Sequence, residues 1–269
     1  MSPVADFFKN LTLPVMPEVA HELIRSLNDE DVPVPQLRDA IARDPALAVQ
    51  LLRLANSARY GRSRQISTLD DAIALVGLRQ VRALALASCF NDAFPVVPGL
   101  DRETFWRESQ SCGGLAQWVA SGVGSDSEQA WLSGFMVRVG ELLMGMKSPS
   151  SVIDFERQPS YPGARWEREH ALLGFTEGQV SAELARAWNF PDAMVDALNA
   201  AANPMQAQPF SQLGAVLHVA ELLAASDELS EDAVDGLPAE VLGALKLDTA
   251  WMRSRLPQAQ AYVQASTLH

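Results

Sequence analysis

From Pro17 onward, apolar residues recur at intervals of three and four, and runs of alternating β-branched residues bounded by turns are hard to find. That pattern predicts an all-α chain. The segment from Pro17 to about Leu27 gathers Val19, Ala20, Leu23, Ile24 and Leu27 on one face, the spacing of an amphipathic helix. A second helix is expected over Val34 to Ala42. Asp44-Pro45 then starts a third, through Ala46 to Ser57, with Asp44 as N-cap and Pro45 at the first helical position, where a missing N–H costs nothing. Ser67, with Asp70 three residues on, reads as a capping box; it opens a helix ending at Gly77, and another runs from Leu78 to Phe90.

The turn Phe94-Pro95-Val96-Val97-Pro98-Gly99 interrupts this pattern and is the place to divide the chain. Beyond it, helices are expected near 101–120, 127–146, 149–156, 164–174, 176–188, 191–201 and 209–226. The stretch from Ser226 to Asp232 reads as a solvated acidic loop, and short helices near 238–245 and 248–264 close the sequence. No repeat of solenoid period occurs.

With 21 basic against 33 acidic residues and a formal net charge of -12, the average surface repels a phosphate backbone, which argues against general nucleic-acid binding. Cys89 and Cys112 belong to no CxxC pair or zinc-spaced cluster and are expected as reduced core residues. No basic start followed by an apolar run opens the chain, and no stretch approaches the roughly 18 apolar residues of a membrane span. A cytoplasmic protein with no membrane partner is the expectation.

Four strings carry a resemblance. They are Leu13-Pro14-x-x-Pro17-Glu18-Val19; Ile41-Ala42-Arg43-Asp44-Pro45-Ala46-Leu47; Leu51-Leu52-Arg53-Leu54-Ala55-Asn56-Ser57-Ala58-x-Tyr60-Gly61; and Ile66-Ser67-x-x-x-x-Ala72-Ile73-x-Leu75-x-Gly77. In order and spacing they resemble the HDOD family. Weaker similarity continues through Phe105-Trp106-Arg107-x-Ser109, Leu132-Ser133-Gly134-Phe135-Met136, Gly174-Phe175, Leu184-Ala185-x-x-Trp188-x-Phe190-Pro191 and Val216-Leu217-His218-Val219-Ala220. The resemblance covers about residues 11–225 and implies two packed helical bundles: an HDOD N-terminal subdomain near 11–95 and an HD-like subdomain near 100–225. Residues 226–269 would then be an acidic loop and a C-terminal helical extension.

HDOD domains are similar to the HD and HD-GYP phosphohydrolases, metal enzymes that in the HD-GYP case cleave cyclic di-GMP, but most HDOD members lack the metal-binding pattern. Such hydrolysis needs imidazoles and carboxylates converging on divalent ions, which activate water and neutralise the phosphate under attack. The resemblance places the His-Asp pair that names the enzymes at Val137 and Arg138, a histidine at Glu177, a His-His pair at Ala201 and Ala202, an aspartate at Glu221, and a first histidine near Glu108. An aliphatic side chain and a cation cannot bind a dication. The whole chain has four histidines, His21, His170, His218 and His269, none followed by Asp and no two within one helical turn. The expectation is a degenerate site with no catalytic residue, no metal and no cofactor.

Two readings of the remaining acids stay open. Glu108, Glu177 and Glu221 form either solvated or salt-bridged carboxylates or an oxygen-only cluster for magnesium or calcium. Arg138 either pairs with one of them in the vacated space or points to solvent. His218, on an apolar stretch, reads as a satisfied buried histidine, and His170, after Glu167-Arg168-Glu169, as helix surface. No Gly-x-Ser-x-Gly or lysine-bearing phosphate loop occurs.

One local patch is basic: Arg53, Asn56, Ser57, Arg59, Tyr60, Arg62 and Arg64 could form a partner or ligand surface for an acidic protein or a nucleotide phosphate. Alternatively, Asn56 and Ser57 cap their helix and the arginines neutralise Asp70 and Asp71. The resemblance therefore implies a non-enzymatic bacterial signal-transduction module whose partners are other signalling proteins, in a pathway of cyclic di-GMP, motility or stress. A nucleotide receptor using the vacated cleft and a residual metal-dependent phosphohydrolase are the rivals.

Overall fold

The computed structural model describes residues 3–9, 11–28, 33–56, 66–150, 153 and 161–266. Among them every regular element is a helix and none is a strand. The chain divides into two compact units, one of Pro14–Pro95 with Trp188–Pro191, the other of Met1–Leu13, Val96–Ala187 and Asp192–His269. The main division falls within the turn at Pro95 and Val96.

The larger unit begins with helix α1 (Pro3–Phe8). The smaller unit holds α2 (Glu18–Arg25), α3 (Val34–Ala42), α4 (Pro45–Ala55), α5 (Leu69–Val76) and α6 (Leu78–Ala93). Asp44 Oδ1 accepts the N–H groups of Ala46 and Leu47 at 3.0 and 3.1 Å, so the Asp-Pro start of α4 works through two otherwise orphaned donors. The cap of α5 lies one residue later than the expected Ser67. Thr68 has the extended backbone a cap needs (φ -121°, ψ 150°); its hydroxyl accepts from Asp71 N–H at 3.1 Å and donates to the Asp71 carboxylate at 2.8 Å. Gly77, at φ +90°, turns the chain from α5 into α6 in a conformation that penalises any β-carbon.

Helix α6 is buried on most sides, which explains why its sequence shows no polar stripe. Its Phe90 meets Trp188 edge-on at 5.2 Å and Phe190 at 6.2 Å, so the four residues Trp188–Pro191 complete this core. Asn28 Nδ2 donates to the Asn189 carbonyl at 3.0 Å. Among the described residues no single helix is long and apolar enough to cross a membrane.

The larger unit continues with α7 (Arg102–Val123), α8 (Ser127–Met136), α9 (Val139–Lys147), α10 (Ala164–Leu173), α11 (Glu177–Ala187), α12 (Asp192–Ala200), a 3₁₀ turn at Pro204–Gln206 and α13 (Gln212–Ala224). Asp101 caps α7 through Thr104 N–H at 2.8 Å, and Asp126 caps α8 through Glu128 and Gln129 N–H at 3.0 and 2.9 Å. The single helix expected over 127–146 is two: the path breaks at Val137 and Arg138. The helix expected near 149–156 falls mostly outside the described residues.

The C-terminal residues also differ from expectation. Ser230 caps a short α14 (Glu231–Asp235), so Glu231 and Asp232 are first-turn acids favoured by the helix dipole, not part of a loop. Then follow α15 (Ala239–Leu245), α16 (Thr249–Ser254) and α17 (Leu256–Ser266), with Arg255 splitting the helix expected over 248–264. These residues belong to the larger unit: Trp251 stacks on Trp118 of α7 at 5.5 Å.

Candidate functional site

The break between α8 and α9 creates the centre of the larger unit. Where the helix parts, the Val137 carbonyl accepts the Ser181 hydroxyl at 2.9 Å, and the same hydroxyl accepts Gly140 N–H at 2.6 Å. One small side chain on α11 thus satisfies backbone groups on both sides of the break. Gly140 permits this approach, because a β-carbon there would lie 2.0 Å from the Glu177 carbonyl oxygen. Val137 itself is fully buried.

Arg138 turns inward. Its guanidinium pairs through Nη1 with Glu108 and through Nη2 with Glu141 at 3.0 Å, and lies 5.5 Å from the Phe105 ring centroid. Arg165 of α10 reaches the other oxygen of Glu141 at 2.8 Å. Side-chain exposure is 11% for Arg138, 0% for Glu141 and 46% for Glu108, so Glu108 closes the rim and Glu141 the interior. Burial opposes ionisation of Glu141, but Arg165 and Arg138 together outweigh it and hold that carboxyl below its usual range.

The other carboxyls are held differently. Glu177, the first residue of α11, is fully buried, and neither of its carboxyl oxygens has a hydrogen-bond partner; the Arg165 Nε lies 3.9 Å away. Burial first, and then the nearby Glu169, push Glu177 well above the usual range. Glu169 of α10 accepts the Glu177 backbone N–H at 2.8 Å, and burial lifts its carboxyl to about 8. Glu221 of α13 accepts the Cys112 thiol at 3.1 Å and is raised mainly by burial, with Arg138 working against the rise. Cys112 is in turn raised by its burial and by Glu221.

Ala201 is buried and Ala202 partly so. The Ala201 carbonyl lies 2.7 Å from His218 Nδ1, and because a carbonyl can only accept, that nitrogen carries the hydrogen. His218 stacks on Trp166 at 4.9 Å, and burial lowers its pKa. His170 is exposed.

The structure therefore draws Glu108, Arg138, Glu177 and Glu221 together, with the Val137 backbone at the break beside them. Glu141, Arg165, Glu169, Cys112 and Ser181 also belong to the centre, and sequence reasoning missed them. Glu141 had a signal, lying three residues after Arg138 and hence on the same helical face. Elsewhere, Arg53 is exposed on α4. Asn56 donates to the carbonyls of Leu52 and Ile66 and accepts Ile66 N–H, each at 2.7 Å, which fixes the two ends of the basic segment. Ser57, Arg59, Tyr60, Arg62 and Arg64 lie outside the described residues.

Among the described residues, no group of three or more histidine, cysteine, aspartate or glutamate side chains is arranged to hold a metal ion. Two guanidiniums also occupy the centre, and each positive charge near a dication raises the cost of binding it. The HDOD domain family model matches residues 13–204. The chain belongs to the HDOD family. Among solved HDOD-like folds, a protein from Shewanella amazonensis SB2B provisionally named a phosphohydrolase superposes with a TM-score of 0.80 at 27% identity, covering 98% of this chain and 96% of that one. An HDOD domain protein of unknown function from Geobacter sulfurreducens gives 0.76 at 20% identity, covering 99% and 98%. A protein provisionally named for signal transduction, from Marinobacter aquaeolei VT8, gives 0.78 at 21% identity and covers 98% of this chain but 62% of its own. A Treponema pallidum protein of uncharacterised function is 24% identical over 193 residues, and this HDOD chain spans 37% of its length.

Proposed function

We propose that this HDOD protein is a non-enzymatic bacterial signal-transduction module that acts by contact with other proteins, in a pathway of cyclic di-GMP, motility or stress signalling. The observation that carries the reading is Arg138, seated at the degenerate His-Asp position and ion-paired with Glu108 and Glu141. A fixed cation stands where the resemblance places a metal ligand of the HD hydrolases, and the buried carboxylate beside it, Glu141, is engaged by two guanidiniums. The name of the Marinobacter protein is in line with a signalling role. The basic segment from Arg53 to Arg64 is the contact surface this reading favours, since an acidic partner would be steered to it within an otherwise acidic protein.

The name of the Shewanella protein favours a second reading, metal-dependent phosphohydrolysis. Elemental analysis of protein purified without chelator, with turnover assays on cyclic di-GMP in added manganese, magnesium or iron, separates the two. Bound metal near one equivalent, with turnover lost on Glu177→Gln or Glu221→Gln, would overturn the contact reading. A thermal shift with cyclic and linear nucleotides tests the receptor alternative. For the contact itself, reversing Arg59, Arg62 and Arg64 to Glu is expected to abolish partner capture at matched salt while helicity is retained.

A further inference from the structure

Two guanidiniums serve five carboxyls inside the larger unit. Glu141 takes both at contact distance, while Glu108 draws on Arg138 from the half-exposed rim. What remains is Glu177, with no hydrogen bond to either oxygen; Glu169, with one backbone donor and a second oxygen unpartnered; and Glu221, with only a thiol donor. A buried carboxylate without donors or a contact counter-ion costs several kcal/mol, whereas its protonated form is a neutral hydrogen-bond donor.

We propose that Glu177 and Glu169 are a proton-bearing carboxyl pair that locks α10 to α11, and that loss of its proton is a built-in, pH-sensitive release of that lock. The pair faces Cys112 of α7, Arg138 at the α8–α9 junction, Glu141 of α9, Arg165 of α10 and Glu221 of α13; Glu108 of α7 pairs with Arg138 at the rim, and the acids of α12, Asp192 and Asp196, are exposed. Apart from the two guanidiniums already engaged by Glu141, the ionisable neighbours are acidic, so a second negative charge gains little there. The lock is mechanical as well as electrostatic. Glu169 holds the first N–H of α11, a bond that favours its ionised form but is outweighed by burial, and the Glu177 carbonyl is the surface against which Gly140 packs, so a shift of Glu177 on ionisation is transmitted to the Ser181 bridge beside Arg138.

Both carboxyls titrate above the ordinary value of 4.5, Glu169 at about 8, because burial disfavours their charged forms. An unfolded chain gives up these protons near its ordinary carboxyl range, so the folded unit binds more protons between that range and the raised values. Stability therefore falls as pH rises through that window.

The test is thermal unfolding of the full chain from about pH 6 to about pH 9, with Glu177→Gln, Glu169→Gln and the control Glu183→Gln, a half-exposed carboxylate on the same helix paired with Arg186, alongside infrared detection of the protonated carboxyl stretch. The wild type and the Glu183→Gln control are expected to lose about 5 °C or more over that range, and each of the other two variants about half of that or less. A protonated carboxyl band is expected in the wild type at neutral pH and weakened in Glu177→Gln. Should Glu177→Gln fail to fold, Glu169→Gln and the wild-type infrared band decide. Wild-type slopes in both pair variants, or no protonated band at neutral pH, would overturn the proposal.

Discussion

Gly140 and Glu177 touch backbone to backbone: a β-carbon on the glycine would sit 2.0 Å from the glutamate's carbonyl oxygen. No rotamer change relieves that overlap, because the obstructing atom is main chain. Gly140→Ala is therefore expected to push α9 from α11, break the Ser181 bridge and destabilise the larger unit by about 1–3 kcal/mol. Circular dichroism melts check this. A melting temperature equal to wild type would show that the two helices separate without cost.

Arg138 links two carboxylates of unequal burial, and the consequences of losing it are unequal too. Arg138→Met leaves buried Glu141 with Arg165 alone, and removing one partner of a buried pair costs about 3–5 kcal/mol. Glu108→Gln touches a half-exposed pair and is expected to cost about 1 kcal/mol or less. A double-mutant cycle of Arg138→Met with Glu141→Gln is expected to show coupling; strict additivity would count against the pairing.

Where local chemistry decides the outcome, the sequence was legible. Asp44-Pro45 announces α4 because cap and proline each act within three residues, and Val34–Ala42 is delimited by prolines and apolar spacing. The capping box at α5 slipped by one because Ser67 and Thr68 are both competent caps and only the backbone conformation chooses between them. The break at Val137 and Arg138 was invisible: both have helical dihedrals nearby, and what ends the helix is a hydroxyl 44 residues away. Glu169 is hidden for the opposite reason. In the run Trp166-Glu167-Arg168-Glu169-His170 charge suggests a solvated face, yet Glu169 turns inward with Trp166 and its carboxyl takes the first N–H of α11.

Asn56 offers a local test in the smaller unit. Its side chain makes three hydrogen bonds to backbone, joining the end of α4 to Ile66 across the basic segment. Asn56→Leu removes all three at a partly solvated position and is expected to lower stability by about 1–2 kcal/mol, a loss of several degrees in melting temperature. Asn56→Asp keeps only the acceptor and should fall between. An unchanged melt for Asn56→Leu would remove the bridging role.

Both cysteines should resist modification in the folded protein. Cys89 is pushed up to about 12, chiefly by burial, and Cys112 is raised by burial and by Glu221, so neither supplies thiolate at neutral pH. Titration with a thiol-specific disulfide reagent is expected to report no fast-reacting thiol in the native state and two after denaturation. A fast native thiol would place one of them at the surface.

The acid limb of stability should run through Glu141. Burial raises its pKa, but Arg165 and Arg138 lower it further, leaving the net value below that of an unfolded glutamate. A carboxyl so depressed contributes stability that is present above the unfolded value of about 4.5 and is lost as pH falls through the folded one. Glu141→Gln is thus expected to be strongly destabilised at neutral pH, because Arg138 and Arg165 lose their shared anion, and the gap to wild type should narrow in acid as the wild-type carboxyl takes up a proton. Urea melts of both proteins across the acid range measure that gap directly. A gap that stays constant to below about pH 3 would mean that Glu141 is not ionised in the folded protein, and the charge assignment of the whole centre would have to be redrawn.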